Sequence, residues 1–565
     1  MARAKPADTA KPRGAKPKPR KATKPKAAAA AVPTEPRVRM YRHGLGDGFL
    51  LTFPREKQRD FRVLIDCGII QGTPQLKDQP DPLALVVADL VEETADPDTG
   101  KATIDVLVAT HEHWDHLAGF ATLTDKFKEF DFSRVWLAWT EDPKNPTARK
   151  LRRERAEKVN ALKLGLDHTR AKFGVTGLGA ADATGSDKAV VTELERVGEV
   201  LSFFGVDPDT GAGLGVTGDG DDLFGVKGKP RLSVSEAMDW CRTHAGAEFF
   251  TPGGIIDLTA DVPGLRVYVL GPPTDPRQLF KDLPTKKGRE TYEEEDAAFA
   301  AASGTFFGAD LGQMGGATQA ERAFDRSAPF DDKYRVSMTD AAGTDFFRTY
   351  YLGTGAGLGE EWRRIDEAGL AAVSAFALQL DSDTNNTSLA LAFELGDPGE
   401  GQVLLFPGDA QVGNWESWHA DPDDKPLVWH PAGTDGPAVT AKDLLERTVL
   451  YKTGHHGSHN ATLRGKGLEL MTHPDLVALV PVDSYVAREK KHWARMPFVP
   501  LMDALRKQAH GRVIVADQPL AAMKPKPAFP GTVADAPKHK ALTVESDDQK
   551  LVTRPLYVDY TLPPA

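Results

Sequence analysis

The run His111-Glu112-His113-Trp114-Asp115-His116 constrains this chain more than any other part of its sequence. It follows Thr110 and the largely apolar segment 104–109, which is typical of a buried strand. It precedes residues 117–130, whose apolar spacing predicts an amphipathic helix. Loops between a strand and a helix are places where a rigid scaffold commonly presents catalytic groups. We therefore expect an α/β fold in which this run lies on a loop at the end of a strand.

This run supplies four possible metal ligands within six residues. His111 and His113 are two apart on an extended segment, so their side chains can point to the same side and reach one cation. Asp115 and His116 follow as the chain enters the helix, which directs them toward a neighbouring position. Imidazole and carboxylate suit Zn²⁺, Mn²⁺ or Fe, and two metals about 3.5 to 4 Å apart can hold the attacking and leaving oxygens of a hydrolysis. The sequence thus predicts a hydrolytic metal site.

Two later strand ends carry further candidates. Asp409 ends the apolar run 402–406 through a Pro-Gly pair, and a carboxylate there can bridge two cations. His455 and His456 follow the apolar run 448–452 and precede Gly457. We expect one of the two histidines to be structural and favour His455 as the ligand, because it lies nearer the strand end.

These motifs resemble the metallo-β-lactamase superfamily, and most closely the soluble hydrolase domain of the ComEC-type DNA-uptake competence proteins. The pieces that match this pattern occur in the same order over about residues 40–485. They are Gly44-Leu45-Gly46-Asp47, Leu64-Ile65-Asp66-Cys67-Gly68, the histidine run, Asn385-Asn386-Thr387-Ser388-Leu389, Gly408-Asp409 and His455-His456-Gly457-Ser458.

The resemblance implies a four-layer αββα sandwich with two divalent metal ions, Zn²⁺ or Mn²⁺, at one edge. His111 and His113 would hold one metal, and Asp409 would bridge the two. The second metal would be held by Asp115, His116 and His455. Many members of the superfamily complete the first metal with another histidine, but this chain has none between His244 and His419. Asn386 is expected in that neighbourhood, so the His111/His113 metal is the one expected to be labile.

Composition limits the class of protein. At 565 residues, with 41% hydrophobic and 27% charged residues, the chain is an ordinary globular one with room for insertions. No apolar stretch approaches the roughly 20 residues of a membrane-spanning helix. The two cysteines, Cys67 and Cys241, exclude a disulfide framework, and no secretory signal is recognisable, so we expect a cytoplasmic protein.

The organisation along the chain is expected to have three parts. Residues 1–36 are rich in Ala, Pro and Lys, with ten Lys or Arg against two acids, and predict a disordered basic tail that is either a tether for nucleic acid or a partner, or a solubilising extension. Residues 37–500 are expected to hold the metallo-β-lactamase fold, with insertions at about 141–264 and 274–378. Residues 501–565 are expected to form a C-terminal α/β extension.

Three functions remain open at this point. The first is a phosphodiesterase or nuclease that uses a metal-bound hydroxide, favoured by the resemblance, the basic tail and a basic helix at 149–172. DNA or another phosphodiester would then be the partner, although the rest of the chain carries a net charge of −19, since −11 for the whole chain includes +8 for the tail. The second is a small-molecule ester, lactone or thioester hydrolase, and the third is a catalytically weak binding module stabilised by metal.

Catalytic roles are expected for three residues. Asp115 would orient the attacking hydroxide while it binds metal. Asn386 and His459 are candidates for contacting the substrate. Ser458 is a further candidate for that contact, and Asn386, Ser458 and His459 each also have a structural interpretation.

Overall fold

The structure is a computed structural model of the chain. It describes residues 35–563 apart from 57, 72, 74–75, 77–78, 97–98, 174–185, 207–231, 282–289, 293–342, 351–375, 420–425, 432–436, 494, 524 and 547–549. The expected basic tail, except its last two residues, and most of the second expected insertion lie outside the described residues.

Two large sheets contain most of the strands. The first has the order β16-β19-β1-β2-β3-β4-β5-β6 and the second has the order β15-β14-β13-β10-β9-β8-β7, and two short hairpins, β11-β12 and β17-β18, accompany them. The strands are β1 (Arg37–Tyr41), β2 (Gly48–Phe53), β3 (Phe61–Cys67), β4 (Thr103–Val108), β5 (Asp131–Ala138), β6 (Ala247–Phe250), β7 (Ile255–Asp257), β8 (Leu265–Gly271), β9 (Ala390–Leu395), β10 (Gln402–Phe406), β11 (Val428–Trp429), β12 (Val439–Thr440), β13 (Thr448–Lys452), β14 (Val477–Val480), β15 (Val513–Val515), β16 (Thr532–Asp535), β17 (Ala541–Glu545), β18 (Leu551–Pro555) and β19 (Tyr557–Thr561).

Helices occupy the connections between these strands. They are α1 (Pro82–Thr94), α2 (Trp114–Thr122), α3 (Thr124–Phe127), α4 (Pro146–Phe173), α5 (Ser186–Phe203), α6 (Val234–Arg242), α7 (Pro276–Leu279), α8 (Asp345–Tyr350), α9 (Val412–Ser417), α10 (Ala441–Glu446) and α11 (Val499–Gln508). Residues 376–385 are also helical and are called the 376–385 helix below.

The two sheets share an apolar core. Phe49 of β2 contacts Phe406 of β10 edge-to-face, with ring centroids 5.6 Å apart, and Phe53 stacks on Phe393 at 6.3 Å. One buried cluster contains side chains of β1 to β4 and of β8 to β10. Full burial of an aromatic side chain stabilises a fold by roughly 1.5 to 3 kcal/mol, so these contacts help to hold the two sheets together.

Helices cover apolar side chains on both sheets. Residues of α1, α2 and α6 form one buried cluster with β3, β4 and β5, and residues of α9, α10 and α11 form another with β10, β13 and β14. The molecule is therefore a mixed α/β protein, as the sequence predicts.

Local sequence explains where two of these helices begin. The side chain of Asn145 accepts hydrogen bonds from the backbone N–H groups of Thr147 and Ala148, with Pro146 as the first helical residue of α4. Ser233 and Glu236 form a capping box at the start of α6. Helix α4 confirms the basic helix expected at 149–172. In the first sheet, β1 pairs antiparallel with β2, and β2 pairs antiparallel with β3.

Segments from the expected extension and from the first expected insertion contribute strands to the two large sheets. Residues 501–565, expected to form an extension, contribute β15 to the second sheet and β16 and β19 to the first. The end of the first expected insertion supplies β6 and β7, which lie at one edge of each sheet. The predicted helix 117–130 begins earlier, at Trp114, and is divided at Leu123 into α2 and α3. In the described part of the chain, no helix is both long and apolar enough to cross a membrane.

Candidate metal centre

The functional side chains come from the ends of neighbouring strands in both sheets. The histidine run follows β4, which pairs in parallel with β3, and Asp66 lies in β3 itself. In the second sheet, β10 and β13 pair in parallel and are followed by Asp409 and by the histidine pair. Parallel strands place their carboxyl ends at the same edge of a sheet, so each sheet brings its own polar residues to one edge.

Four buried residues could hold a metal ion: Asp115, His116, Asp409 and His456. One ligand atom from each lies within 4.8 Å of the corresponding atoms of the other three. His116 Nε2 is 3.1 Å from Asp409 Oδ2, and His456 Nε2 is 2.9 Å from Asp115 Oδ2. The first sheet supplies two members of this four-residue cluster and the second sheet supplies the other two.

Hydrogen bonds hold His116 in one orientation. Its Nδ1 lies 2.8 Å from Asp66 Oδ2, and the carboxylate of Asp66 also accepts hydrogen bonds from the backbone N–H and the hydroxyl of Thr110. If His116 Nδ1 carries the proton that it donates to Asp66, Nε2 is left as the ligand atom facing Asp409. Asp66 therefore orients His116 without itself joining the four-residue cluster.

His456 is oriented in a similar way. Its Nδ1 lies 2.7 Å from the carbonyl oxygen of Pro481, so an N–H there leaves Nε2 to face Asp115. The backbone of both His455 and His456 is left-handed, with φ of 41° and 52°. His456 was not the histidine favoured from the sequence, where Gly457 beside the pair was the available signal for a tight turn.

His455 does not belong to the four-residue cluster. Its backbone N–H donates to Asp409 Oδ1 at 3.1 Å, and its Nδ1 lies 3.1 Å from the hydroxyl of Ser458. The residue helps to fix Asp409, and its ring neighbours that of His456 with centroids 5.9 Å apart.

His111 and His113 face one another beside the four-residue cluster. Thr110 donates its hydroxyl proton to Asp66 and therefore accepts from His111 Nδ1 at 3.1 Å, which leaves His111 Nε2 free to bind a metal. This Nε2 lies 3.1 Å from Nδ1 of His113. The rings of His111 and His116 are 4.2 Å apart, so the two groups of possible ligands are contiguous.

Lys452 is a buried residue of the centre that was not predicted from the sequence. Its ammonium group donates to Asp47 Oδ2 at 2.5 Å, to the carbonyl oxygen of Gly408 at 3.0 Å and to Asp409 Oδ1 at 3.2 Å. The signal in the sequence was a lysine at the end of an otherwise apolar strand. It provides a fixed positive charge on the side of Asp409 that faces away from His116.

Two glycines let the backbone come close at this site. A Cβ atom at Gly68 would lie 2.1 Å from the carbonyl carbon of Asp115, so only glycine permits the turn after β3 to touch the histidine run. Gly408 has a left-handed φ of 59°, which a residue with a side chain adopts at a cost in strain. Both glycines belong to the motifs recognised in the sequence.

The electrostatic environment separates the histidines into two classes. Burial lowers the pKa of His113 to about 3 and that of His111 well below its usual value. Burial alone would also lower the pKa of His116, but the carboxylates of Asp409, Asp115 and Asp66 raise it well above its usual range. Burial alone would raise the pKa of Asp409. The positive charges of His116 and Lys452 outweigh burial and hold this pKa well below its usual value.

Glu112, within the histidine run, belongs to a buried ion-pair network. Its carboxylate pairs with Arg155 of α4, which also contacts Glu141 at 3.3 Å, and Arg242 of α6 pairs with Glu141 in turn. Burial raises the pKa of Glu112 despite these arginines. The network ties the histidine run to α4 and α6.

The other residues proposed from the sequence lie outside the four-residue cluster. Asn386 accepts from the backbone N–H groups of Gln411 and Asn414 and donates to the carbonyl of Lys281 at 2.7 Å. It therefore helps to hold the segment that begins α9. The ring of His459 packs against Phe498, with centroids 6.0 Å apart.

Two unpartnered carboxylate oxygens bear on whether this centre could hold a metal ion. Asp115 Oδ1 and Asp47 Oδ1 are buried carboxylate oxygens without a hydrogen-bond partner among the described residues. A buried carboxylate oxygen without a partner is costly unless a cation is nearby. The buried His and Asp groups of this centre could therefore hold a metal ion.

Comparison with known proteins identifies no relative. No protein-family model, no curated protein and no solved structure significantly matches this chain.

Proposed function

We propose that this protein is a metal-dependent hydrolase of the metallo-β-lactamase type, whose two sheets and covering helices form the four-layer αββα sandwich. The observation that carries the proposal is the buried cluster of Asp115, His116, Asp409 and His456, drawn from strand ends of both sheets. Mixed imidazole and carboxylate ligands are those of hydrolytic Zn²⁺ and Mn²⁺ sites. We assign His456 rather than His455 to the ligand set because only the former presents a ring nitrogen to Asp115.

The charges of the centre support two cations rather than one. The centre contains four carboxylates, Asp47, Asp66, Asp115 and Asp409, and one ammonium group, that of Lys452. The sum is three negative charges when the histidines are neutral ligands. One divalent cation does not neutralise three charges. His111 Nε2 and His113 Nδ1 provide the ligand atoms for a second cation.

Bound metals would lower the pKa of a water molecule and stabilise the negative charge that develops on the substrate. The residues of the chain prepare for this role. Asp66 and the carbonyl of Pro481 fix the orientations of His116 and His456. Lys452 holds one oxygen of Asp409 and leaves the other directed at His116.

A phosphodiester is the substrate class that we propose first, on the strength of the motif order and the two-metal ligand set. The basic helix α4 adds little to this argument. Arg152 donates to the carbonyl of Thr140, Arg155 pairs with Glu112, and Lys158 pairs with Asp383 at 3.1 Å. Its basic side chains are thus partly used within the protein.

The burial of the centre favours a second candidate, a hydrolase of small esters, lactones or thioesters. His116, Asp409 and His456 are each fully buried, and His113 packs against Phe203 and Phe204, with ring centroids at 5.3 and 5.0 Å. A small ester fits such an enclosed site more readily than a polynucleotide.

The test is a metal titration of the chelator-treated protein with Zn²⁺ and with Mn²⁺. Turnover would be measured on bis(p-nitrophenyl) phosphate, single- and double-stranded DNA, a lactone and a thioester. We expect hydrolysis of the phosphodiester that rises to a plateau at two equivalents of metal. His116→Gln should abolish it, whereas His244→Gln, outside the centre, should not.

The outcomes separate the candidates. Cleavage of DNA that weakens steeply with salt supports a nuclease, because phosphate contacts release counterions. Turnover restricted to the lactone or thioester supports the second candidate. Two bound metals without any turnover would support a metal-stabilised binding module, and the absence of metal binding would overturn the proposal altogether.

A further inference from the structure

The His111/His113 side of the centre has a carboxylate that no sequence motif marked. Asp381 lies in the 376–385 helix, and its Oδ1 is 3.8 Å from His113 Nε2. Both side chains are largely buried, with 1% of His113 and 12% of Asp381 exposed. Among the described residues, His113 Nε2 has no hydrogen-bond partner.

The ring orientation of His113 indicates which nitrogen would bind a metal. His113 Nδ1 lies 3.1 Å from His111 Nε2. Two nitrogens bound tetrahedrally to one Zn²⁺ at about 2.0 to 2.1 Å lie about 3.4 Å apart, so this pair is close to the required separation. Nε2 points away from His111 and toward Asp381, so it must carry the proton when Nδ1 binds the metal.

Asp381 is itself held in place. Its second carboxylate oxygen, Oδ2, accepts a hydrogen bond from the side-chain amide of Asn385 at 3.2 Å, one helical turn further along. On its other side, the ring of His113 is packed by Phe203 and Phe204. Asn385, Asp381 and His113 therefore form a chain of side chains that leads to the His111/His113 metal position.

We infer that Asp381 is a positioning residue that accepts the Nε2–H of His113 and thereby fixes Nδ1 as the metal ligand. A histidine that binds a metal through one nitrogen commonly donates its other N–H to a carboxylate, which fixes the tautomer and raises the basicity of the ligand. The present 3.8 Å separation exceeds a hydrogen bond by less than 1 Å. The His111/His113 position lacks the further histidine that many superfamily members have. The carboxylate of Asp381 compensates for it by strengthening His113 as a ligand.

This inference rests on the proposed metal centre and deepens it. It is tested with Asp381→Ala, which removes the acceptor, and Asp381→Asn, which keeps an uncharged one. The matched control is Asp383→Ala: Asp383 lies two residues away on the same helix and pairs with Lys158 and Gln379. Metal content, the affinity of each equivalent and the visible absorption of the Co²⁺-loaded proteins would be measured.

We expect Asp381→Ala to weaken one of two metal equivalents by roughly 10- to 100-fold, with Asp381→Asn intermediate and Asp383→Ala unchanged. The Co²⁺ absorption of the weakened equivalent should change as well. If Asp381→Ala fails to fold, as judged by circular dichroism, the Asn variant decides. Two metals bound equally well by wild type and all variants would overturn the inference alone. A wild-type protein that binds no metal would instead overturn the proposed function.

Discussion

At the scale of single residues, the centre depends on which atom each side chain presents. The sequence predicted a ligand set of His111, His113, Asp115, His116, Asp409 and His455. The structure brings Asp115, His116 and Asp409 together, with His456 in place of His455. Spacing could not separate His455 from His456. Both residues have left-handed backbone, so the extended-strand rule for side-chain direction does not apply to them.

The adjacent histidines allow a matched comparison. We expect His456→Gln to lower the affinity for one metal equivalent by more than about 100-fold, beyond the effect typical of an outer-shell partner. His455→Gln should retain both metals, because His455 contacts Asp409 through its backbone N–H. Metal analysis after dialysis measures both variants. The opposite order of effects would return His455 to the ligand set.

Lys452 should contribute strongly to the stability of the metal-free protein. Lys452→Met leaves the buried carboxylates of Asp47 and Asp409 without their ammonium partner, and breaking a buried pair in this way costs roughly 3 to 5 kcal/mol. Urea unfolding in the presence of chelator measures the free energy of unfolding. Lys442→Met, which removes an exposed pair with Glu446, is the control and should leave that free energy nearly unchanged. Equal effects of the two substitutions would contradict this role of Lys452.

His43 should make the stability depend on pH. Burial lowers its pKa to about 4, and it hydrogen-bonds the carbonyl of Gly68 at 2.6 Å. As the pH falls below about 6.5, His43 therefore binds a proton in the unfolded chain but not in the folded chain. The contribution of His43 to the free energy of unfolding is therefore complete above about pH 6.5. It is lost as the pH falls toward 4, and the total loss is about 3 kcal/mol.

The measurement is urea unfolding of wild type and His43→Gln between pH 7.5 and 4.5. The wild type should lose more free energy of unfolding than the variant over this interval. The other buried histidines are present in both proteins, so their contributions cancel and the difference between the two pH profiles reports His43. Parallel pH profiles would show that His43 does not contribute.

At the scale of elements, α4 is tied to the centre rather than added to the surface. Its beginning at Asn145 and Pro146 was predictable, because capping is local and depends on adjacent residues. Its contact with the histidine run was not predictable. The pair formed by Arg155 and Glu112 joins residues 43 positions apart, and a basic helix gives no indication of which of its charges will be buried.

Replacing Arg155 should loosen this attachment. Arg155→Met leaves Glu112 and Glu141 with fewer positive partners in a buried site, and we expect a loss of roughly 3 to 5 kcal/mol with faster hydrogen exchange in α4. Arg153→Met removes an exposed i,i+4 pair with Glu157 and serves as the control. Hydrogen exchange by mass spectrometry follows both variants. Equal protection of α4 from exchange in Arg155→Met and Arg153→Met would show that Arg155 does not attach α4 to the centre.

At the scale of the whole molecule, the candidate ligands connect the two sheets. Asp115 and His116 follow β4 of the first sheet, whereas Asp409 and His456 follow β10 and β13 of the second. The mixed α/β class was predictable because apolar runs alternate with helical patterns. The short strands β6 and β7 were not, since three or four residues at a sheet edge carry too little pattern to be distinguished from loop.

Metal should therefore stabilise the molecule as a unit. With free metal at about 1,000 times its dissociation constant, one site adds about 4 kcal/mol to the free energy of unfolding. Chelator should lower the midpoint of a single transition seen alike by circular dichroism and by tryptophan fluorescence. Two separate transitions, only one of them sensitive to metal, would show that the sheets are not joined through the centre.

The pairing of β1 with β19 has a consequence for biosynthesis. Arg37 of β1 is paired with Thr561 of β19. The partner of β1 is therefore synthesised 524 residues later. At about 5 to 20 residues per second, the delay on the ribosome is roughly 25 to 105 s. During that time the β19-facing edge of β1 lacks its native partner, a hazard for aggregation. We therefore expect the nascent chain to be most prone to aggregation before β19 has been synthesised.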